Sequence, residues 1–306
     1  MNPKIKAALR DPYYACNLLL NRIGRFVSDE QFVKWSFYLT FHRKLDLKNP
    51  QTYNEKLQWL KLYDRREEYT QMVDKCEAKK YVASIIGEEY IIPTLGVYNS
   101  FDEINFDELP NQFVLKCTHN SGGLIICRDK QKLNITESRI LMNKWLKKNP
   151  FWANREWPYK NVKPRLITEQ FMSDGRTVES GLTDFKFFCF NGEVKFLYVS
   201  QGLEDHSTAS ISFFDLNGDR LPFKRTDYKG VDKFTPPSCF EKMKDVANLL
   251  AKKIDNPFIR IDLYEVSGSI YFSELTFFPC SGLLPFDPPE WDKIIGDYLK
   301  LPNNKV

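Results

Sequence analysis

Apolar and charged residues alternate with a period of two along Phe258-Ile-Arg-Ile-Asp-Leu263. This is the pattern of a half-buried strand. Ile259, Ile261 and Leu263 point one way, and Arg260 and Asp262 the other. A tight turn at residues 266–269 leads to a second strand, in which Glu274 and Thr276 share a face. Charged residues inside such strands are costly unless paired or bound to a metal. One cation and two carboxylates on adjacent strands suit a site for Mg and phosphate. An Arg–Asp pair on an exposed sheet face is an equally open reading. With a two-residue loop, Ser267-Gly268, Asp262 and Glu274 would face opposite sides. A shared site therefore requires an odd loop or a bulge.

The rest of the chain divides into a helical start and a strand-rich remainder. Residues 1–70 read as helical, with a capping box at Thr52-Tyr-Asn-Glu55. They are expected to form a helical cap or packing subdomain, in which Trp35, Trp59 and His42 are core or surface residues. Asp74 starts another helix that ends at Gly87. Lys75 and Lys79 share its face, where lysines are commonly solvated, and Lys79 is read that way. Lys116 interrupts the apolar strand Phe113–Cys117 and precedes the glycine-containing loop at 118–123. Such a loop can cover phosphates with backbone N–H groups or can simply turn a hairpin. Residues 136–148 read as a helix, 152–165 as a tryptophan-rich basic connector and 165–172 as a strand. Asp184–Phe190 is a strand with Asp184 and Lys186 on one face, and Asn191-Gly192 turns it into the next. Residues 200–235 are polar and turn-rich, with His206 read as a surface residue. Ser238 is expected to cap an amphipathic helix carrying Phe240, Met243 and Leu250. The turn at Pro279–Gly282 is placed to close over whatever the carboxylates bind.

Composition narrows the function classes. A net charge of +4 over 306 residues is too mild for dedicated nucleic-acid binding. Seven scattered cysteines without a Cys-x-x-Cys fit reduced thiols in a cytoplasm. No stretch approaches the ~20 apolar residues of a membrane-spanning helix. The basic residues Lys4, Lys6 and Arg10 read as a solvated helix face rather than a membrane contact. Neither a Walker loop nor G-x-G-x-x-G occurs.

The order Lys strand, Gly loop, acidic hinge strand, Arg-x-Asp strand, then Glu-x-x-x-x-Pro resembles the ATP-grasp superfamily. More narrowly, the chain resembles its TupA-like, teichuronopeptide-biosynthesis-type family. The residues that carry this are Tyr53-Asn-Glu-Lys-Leu-Gln-Trp59, Phe113–Cys117 with the following loop to Gly123, Ile167-Thr-Glu-Gln-Phe171, Asp184-Phe-Lys-Phe-Phe188 and Glu274-Leu-Thr-Phe-Phe-Pro279. The resemblance covers roughly residues 40–300.

It implies an α+β fold in which two lobes, residues 71–170 and 171–306, sandwich ATP behind the helical region 1–70. Lys116 and Lys186 would contact phosphates, under a mobile loop formed by Ser121, Gly122 and Gly123. Glu169, Gln170 and Phe171 would form the hinge to adenine, and Asp174 would reach the ribose. Asp262 and Glu274 would ligate Mg, with Thr276 where many relatives carry Asn. Arg260 would neutralise a developing acyl phosphate. The implied activity is a carboxylate–amine ligase joining an amino acid or other amine to a uronic acid of a surface-polysaccharide precursor. It would work in the cytoplasm, with peripheral contact to a membrane-bound lipid-linked glycan and no nucleic acid. The rival readings are a glycosyltransferase, against which stands the absence of any Asp-x-Asp, and a non-catalytic nucleotide-binding module.

Overall fold

The computed structural model describes residues 12–120, 122–173, 182–201, 209–231 and 234–302. It opens with helices α1 (Pro12–Ile23), α2 (Asp29–Phe41), α3 (Tyr53–Tyr63), α4 (Glu68–Val73) and α5 (Lys75–Ile86). The starts of α2, α3 and α5 are fixed by side chains that satisfy otherwise unpaired backbone N–H groups. Ser28 caps α2, and Thr52 with Glu55 forms a reciprocal capping box on α3. Asp74 accepts from the backbone of both Cys76 and Glu77 at the head of α5.

Strands β1 (Thr94–Tyr98), β2 (Phe113–Cys117), β3 (Leu124–Cys127) and β4 (Leu166–Gln170) form an antiparallel sheet in the order β1-β4-β2-β3. Its faces separate by alternation. Phe113, Leu115, Cys117 and Leu166 join Met142 of helix α6 (Ile135–Leu146) in a small core. Val114, Lys116 and Glu169 look the other way, into a cleft. A short helix α7 (Pro150–Asn154) then precedes β4.

Strands β5 (Asp184–Phe190), β6 (Glu193–Gln201), β7 (Ser210–Phe214), β9 (Phe258–Val266) and β10 (Ser269–Thr276) form a second antiparallel sheet, ordered β10-β9-β5-β6-β7. The pair β8 (Lys224–Arg225) and β11 (Phe286–Asp287) stands apart, and α9 (Trp291–Tyr298) follows it. Phe187, Ile259, Ile261 and Leu263 sit on the face covered by α8 (Phe240–Ile254), where the Phe187 and Phe240 rings stack. The opposite face changes character along the strands. Phe190 and Phe258 pack on Tyr53 at one end, and Lys186 and Asp262 stand at the other.

The chain is thus α+β, as the resemblance implies. Val33, Phe37, Tyr53 and Leu57 of the N-terminal helices belong to the same buried cluster as the five-stranded sheet. Two expectations change. The polar stretch after residue 200 contains strand β7, whose Ile211 and Phe213 are buried. Helix α8 starts at Phe240 behind Cys239, with no side-chain cap, so Ser238 does not cap it. His206 lies outside the described residues.

Candidate active site

The two sheets face each other across a cleft of about 360 Å³. Ile92, Val114, Ile126, Met172 and Leu182 give the cleft apolar lining. Lys75, Lys116, Asp184, Lys186 and Glu274 line the polar part.

On the four-stranded side the chemistry is cationic. Lys116 projects from β2 and reaches Glu169 of β4, Nζ to Oε2 at 2.6 Å. Lys79 comes from α5 to the other oxygen of Glu169, and its Nζ also donates to Ile92 O at 2.8 Å and Thr94 Oγ1 at 3.0 Å. Burial alone would raise the Glu169 carboxyl, but Lys116 and Lys79 outweigh it and hold it at about 2. Lys75, one turn before Lys79, donates to Asn120 O at 2.5 Å, which ties α5 to the glycine loop. Burial pushes its ammonium pKa down. Three lysines against one carboxylate leave this wall positive, the sign an oligophosphate requires.

The loop above them is a hairpin turn with two different glycines. Gly122 has φ +103 and open space where a Cβ would point. Gly123 donates its N–H to Asn120 Oδ1 at 3.1 Å and is closed in by Asn120 and Cys117. The first needs glycine for its backbone angle, the second for room.

On the five-stranded side Arg260, Asp262 and Lys186 form a buried ionic network. Arg260 Nε donates to Asp262 Oδ1 at 2.7 Å and Nη2 to Oδ2 at 2.6 Å. Lys186 Nζ donates to the same Oδ2 at 2.6 Å. Burial would raise the Asp262 carboxyl, but the two cations hold it below the usual carboxylate range. Arg260 Nη2 also reaches Glu274 Oε1 at 3.1 Å and Thr276 Oγ1 at 3.0 Å. The turn joining β9 and β10 has two residues, Ser267 and Gly268, both at positive φ. That loop alone would put Glu274 on the wrong face. A bulge at Ser273 restores it, and Glu274 pairs directly with Asp262.

Several acceptors here remain available to a ligand. Asp262 has about four lone-pair sites and uses three. Asp184 Oδ1 is buried with Lys186 Nζ 3.2 Å away, and burial raises its carboxyl pKa although Lys186 opposes the rise. Glu274 is 34% exposed toward the cleft, with only Oε1 engaged among the described residues. Among those residues no three of His, Cys, Asp and Glu form a metal cage. The carboxylates of Asp262 and Glu274 are hard oxygen donors of the kind Mg takes one or two of, with phosphate and water completing its shell.

The structure brings Lys116, Gly122, Gly123, Glu169, Gln170, Phe171, Lys186 and Glu274 to one cleft. Arg260 and Asp262 lie just beneath its surface, 8% and 0% exposed, with Thr276 bonded to both Arg260 and Glu274. Ser121 and Asp174 fall outside the described residues. The Glu169 side chain is turned onto Lys79 and Lys116, and the Gln170 N–H donates to Pro93 O at 3.0 Å. One reading changes. Lys79 is buried and paired, not solvated, and Lys75 lines the cleft. Their spacing of four and the Asp74 cap were the available signals. Asn120, 45 residues from Lys75, and Glu169, 90 residues from Lys79, were not visible locally as their partners.

The turn after β10 is held from α3. Gln58 donates to Ser281 O at 3.0 Å and Gly282 O at 2.6 Å, and Lys61 donates to Ser281 O at 2.6 Å and Asn154 O at 3.0 Å. Ser281 Oγ donates to Glu156 Oε1 at 2.6 Å. Cys280, Ser281 and Gly282 all have positive φ. Gln58 lies in the Tyr53–Trp59 motif without a role assigned from sequence, and Lys61 and Glu156 did not stand out, because each is an ordinary polar residue until the fold joins them.

Among curated proteins none matches this chain. Solved structures similar to it include a D-alanine–D-alanine ligase from Bacillus anthracis, at 16% identity and TM-score 0.40 over 67% of this chain and 57% of that one. The ADP complex of N5-carboxyaminoimidazole ribonucleotide synthetase is similar at 13% identity and TM-score 0.45, over 82% and 57%. An L-amino acid ligase from Bacillus licheniformis is similar at 11% and 0.44, over 84% and 57%. The chain thus spans a little over half the length of each. The sequence itself matches the family described as TupA-like ATPgrasp across residues 55–300. That span contains both walls of the cleft, and the chain belongs to the TupA-like ATP-grasp family.

Proposed function

We propose that the protein is an ATP-dependent carboxylate–amine ligase. The supporting observation is one cleft with Lys75 and Lys116 on one wall and, on the other, the partly exposed Glu274 beside the Arg260–Asp262–Lys186 network. Adenine would lie on the apolar lining near Gln170 and Phe171. Lys75 and Lys116 would hold phosphate oxygens, Lys116 leaving Glu169 to do so. Mg would be held by Glu274 and Asp262, with Thr276 and Asp184 beside them, and would supply charge neutralisation between the phosphates. Lys186 and Arg260 keep Asp262 ionised. Arg260 also has an Nη1 hydrogen left after its 3.3 Å bond to Tyr198 Oη, which can meet negative charge as it develops.

The substrate carboxylate would attack the γ-phosphate to give an acyl phosphate and ADP. An amine then attacks the acyl carbon, the C–O bond breaks and inorganic phosphate leaves. Family membership supports a uronic acid of a surface-polysaccharide precursor as the carboxylate, an amino acid as the amine and the cytoplasm as the location. The test is to incubate the protein with Mg-ATP, a uronic-acid acceptor and pooled amino acids, and to look for an amide by mass. ADP and phosphate should appear together only when both substrates are present. Turnover of a sugar nucleotide without ATP would instead establish a glycosyltransferase.

A further inference from the structure

Away from the cleft, exposed apolar surface is concentrated on one helical hairpin. Thirteen large hydrophobic side chains stand exposed among the described residues, and six of them lie between residues 13 and 38. They are Tyr13, Leu19, Ile23, Phe26, Trp35 and Tyr38. Cys16, Leu19, Leu20 and Ile23 recur at the spacing of one helix stripe, and Trp35, Tyr38 and Leu39 do so on α2. Together these seven line a groove of about 210 Å³ with almost wholly apolar walls. Phe26, 91% exposed, ends the turn between the two helices.

The hairpin is held firmly from its other side. Phe32, Val33 and Phe37 are buried. Arg155, fully buried, donates to Gly24 O and Val27 O and pairs with Asp29 Oδ1 at 2.8 Å. The apolar groove is therefore a formed surface and not a frayed end.

Its charge is one-sided. Asp29 is committed to Arg65 and Arg155, and Glu30 to Lys34. Arg22 and Arg25 are exposed and have no carboxylate partner among the described residues, and Lys4, Lys6 and Arg10 precede α1 in the sequence against one carboxylate, Asp11. A two-fold contact with a second copy would bring the same arginines together, which disfavours that occupant. An interfacial face of Leu, Phe, Trp and Tyr ringed by arginines suits a bilayer carrying anionic headgroups. No helix among the described residues is long and apolar enough to cross a membrane, so the contact is with the surface.

We propose that the outer face of the α1–α2 hairpin docks the protein on an anionic lipid bilayer. Leu19, Ile23, Phe26 and Trp35 enter the boundary between headgroups and acyl chains, and Arg22 and Arg25 lie among lipid phosphates. This goes beyond the ligase reading and does not depend on it.

The test is flotation of the full chain with vesicles of phosphatidylcholine alone or mixed with phosphatidylglycerol. The wild-type protein should float with the anionic vesicles and remain largely below with the neutral ones. Leu19→Asp combined with Phe26→Asp should abolish flotation while circular dichroism and thermal midpoint stay near wild type, since both side chains already face water. Arg22→Glu with Arg25→Glu, which leaves the groove intact, should weaken anionic partition at least about twentyfold. Failure of the wild type to float with either vesicle would overturn the proposal. So would undiminished flotation of both variants, or a wild-type dimer that the aspartate variant converts to monomer, which would assign the face to a second copy.

Discussion

Glu274 stands directly opposite Asp262 across β9 and β10, and it does so because Ser273 is a bulge. The two-residue turn at Ser267-Gly268 sets a register that would send Glu274 to the face covered by α8. One extra residue reverses the parity of everything after it. Both carboxylates then share Arg260 Nη2, at 2.6 and 3.1 Å.

The two carboxylates should respond differently to neutralisation. Glu274 is partly exposed and bonded through one oxygen, so Glu274→Gln should fold normally and keep its thermal midpoint within a few degrees. Its Mg-ATP turnover should fall by about a hundredfold or more, since one ligand charge is removed from a phosphate-bridging ion. ADP release and thermal unfolding on the same preparation check this. A Glu274→Gln protein with wild-type turnover would remove Glu274 from the site.

Asp262→Asn should instead fail on stability. Asp262 is fully buried, and its charge balances both Arg260 and Lys186. Its loss leaves two cations facing an amide, a cost of about 3–5 kcal/mol. Denaturant unfolding should show that loss, where Glu274→Gln shows almost none.

The part of this arrangement legible in the sequence was the part that is local. Alternation alone put Arg260 with Asp262 and Asp184 with Lys186, and the parity problem at Glu274 followed from counting residues in the turn. That a bulge and not a longer loop solves it could not be read, because Ser273 looks like any strand residue. Lys79 was misread for the reverse reason. Spacing places it beside Lys75 on one helix face, but burial depends on Glu169 and Ile92, which only the tertiary fold supplies. Strand β7 was missed because its flanks are polar, and its strand character comes from pairing with β6.

Glu169 sets a pH signature. Its folded carboxyl sits at about 2 against an ordinary 4.5. A depressed carboxyl contributes stability that is complete above pH 4.5 and fades as pH falls toward 2. The full contribution is about 3 kcal/mol. Glu169→Gln should lower stability at neutral pH and flatten the fall across that window. Urea midpoints at a series of acidic pH values, wild type against variant, measure the difference.

Lys61 predicts a change at the opposite end of the pH scale. It is 1% exposed, donates only to carbonyls, and burial lowers its ammonium pKa from 10.5 to about 8. Between those values the unfolded chain binds the extra proton, so stability should rise with pH by about 3 kcal/mol from this residue. Lys61→Met should lose that rise relative to wild type. It should also loosen the turn at Pro279–Gly282 and lower turnover by about tenfold, because Ser281 loses a tether. The difference in unfolding free energy between the two proteins, followed from pH 8 to 10.5, reports the first effect, and ADP release reports the second.

The central claim is that this cleft activates a carboxylate with ATP. The most direct measurement uses a uronic acid whose carboxylate oxygens carry the heavy isotope, incubated with protein, Mg-ATP and an amino acid. If an acyl phosphate forms and the amine displaces it, one labelled oxygen must leave in the inorganic phosphate while the amide keeps the other. Labelled phosphate appearing with the amide, and lost in Glu274→Gln, is the predicted result. ATP consumed with all of the label retained in an acceptor that carries a stable phosphate would contradict it, and would make the protein a kinase.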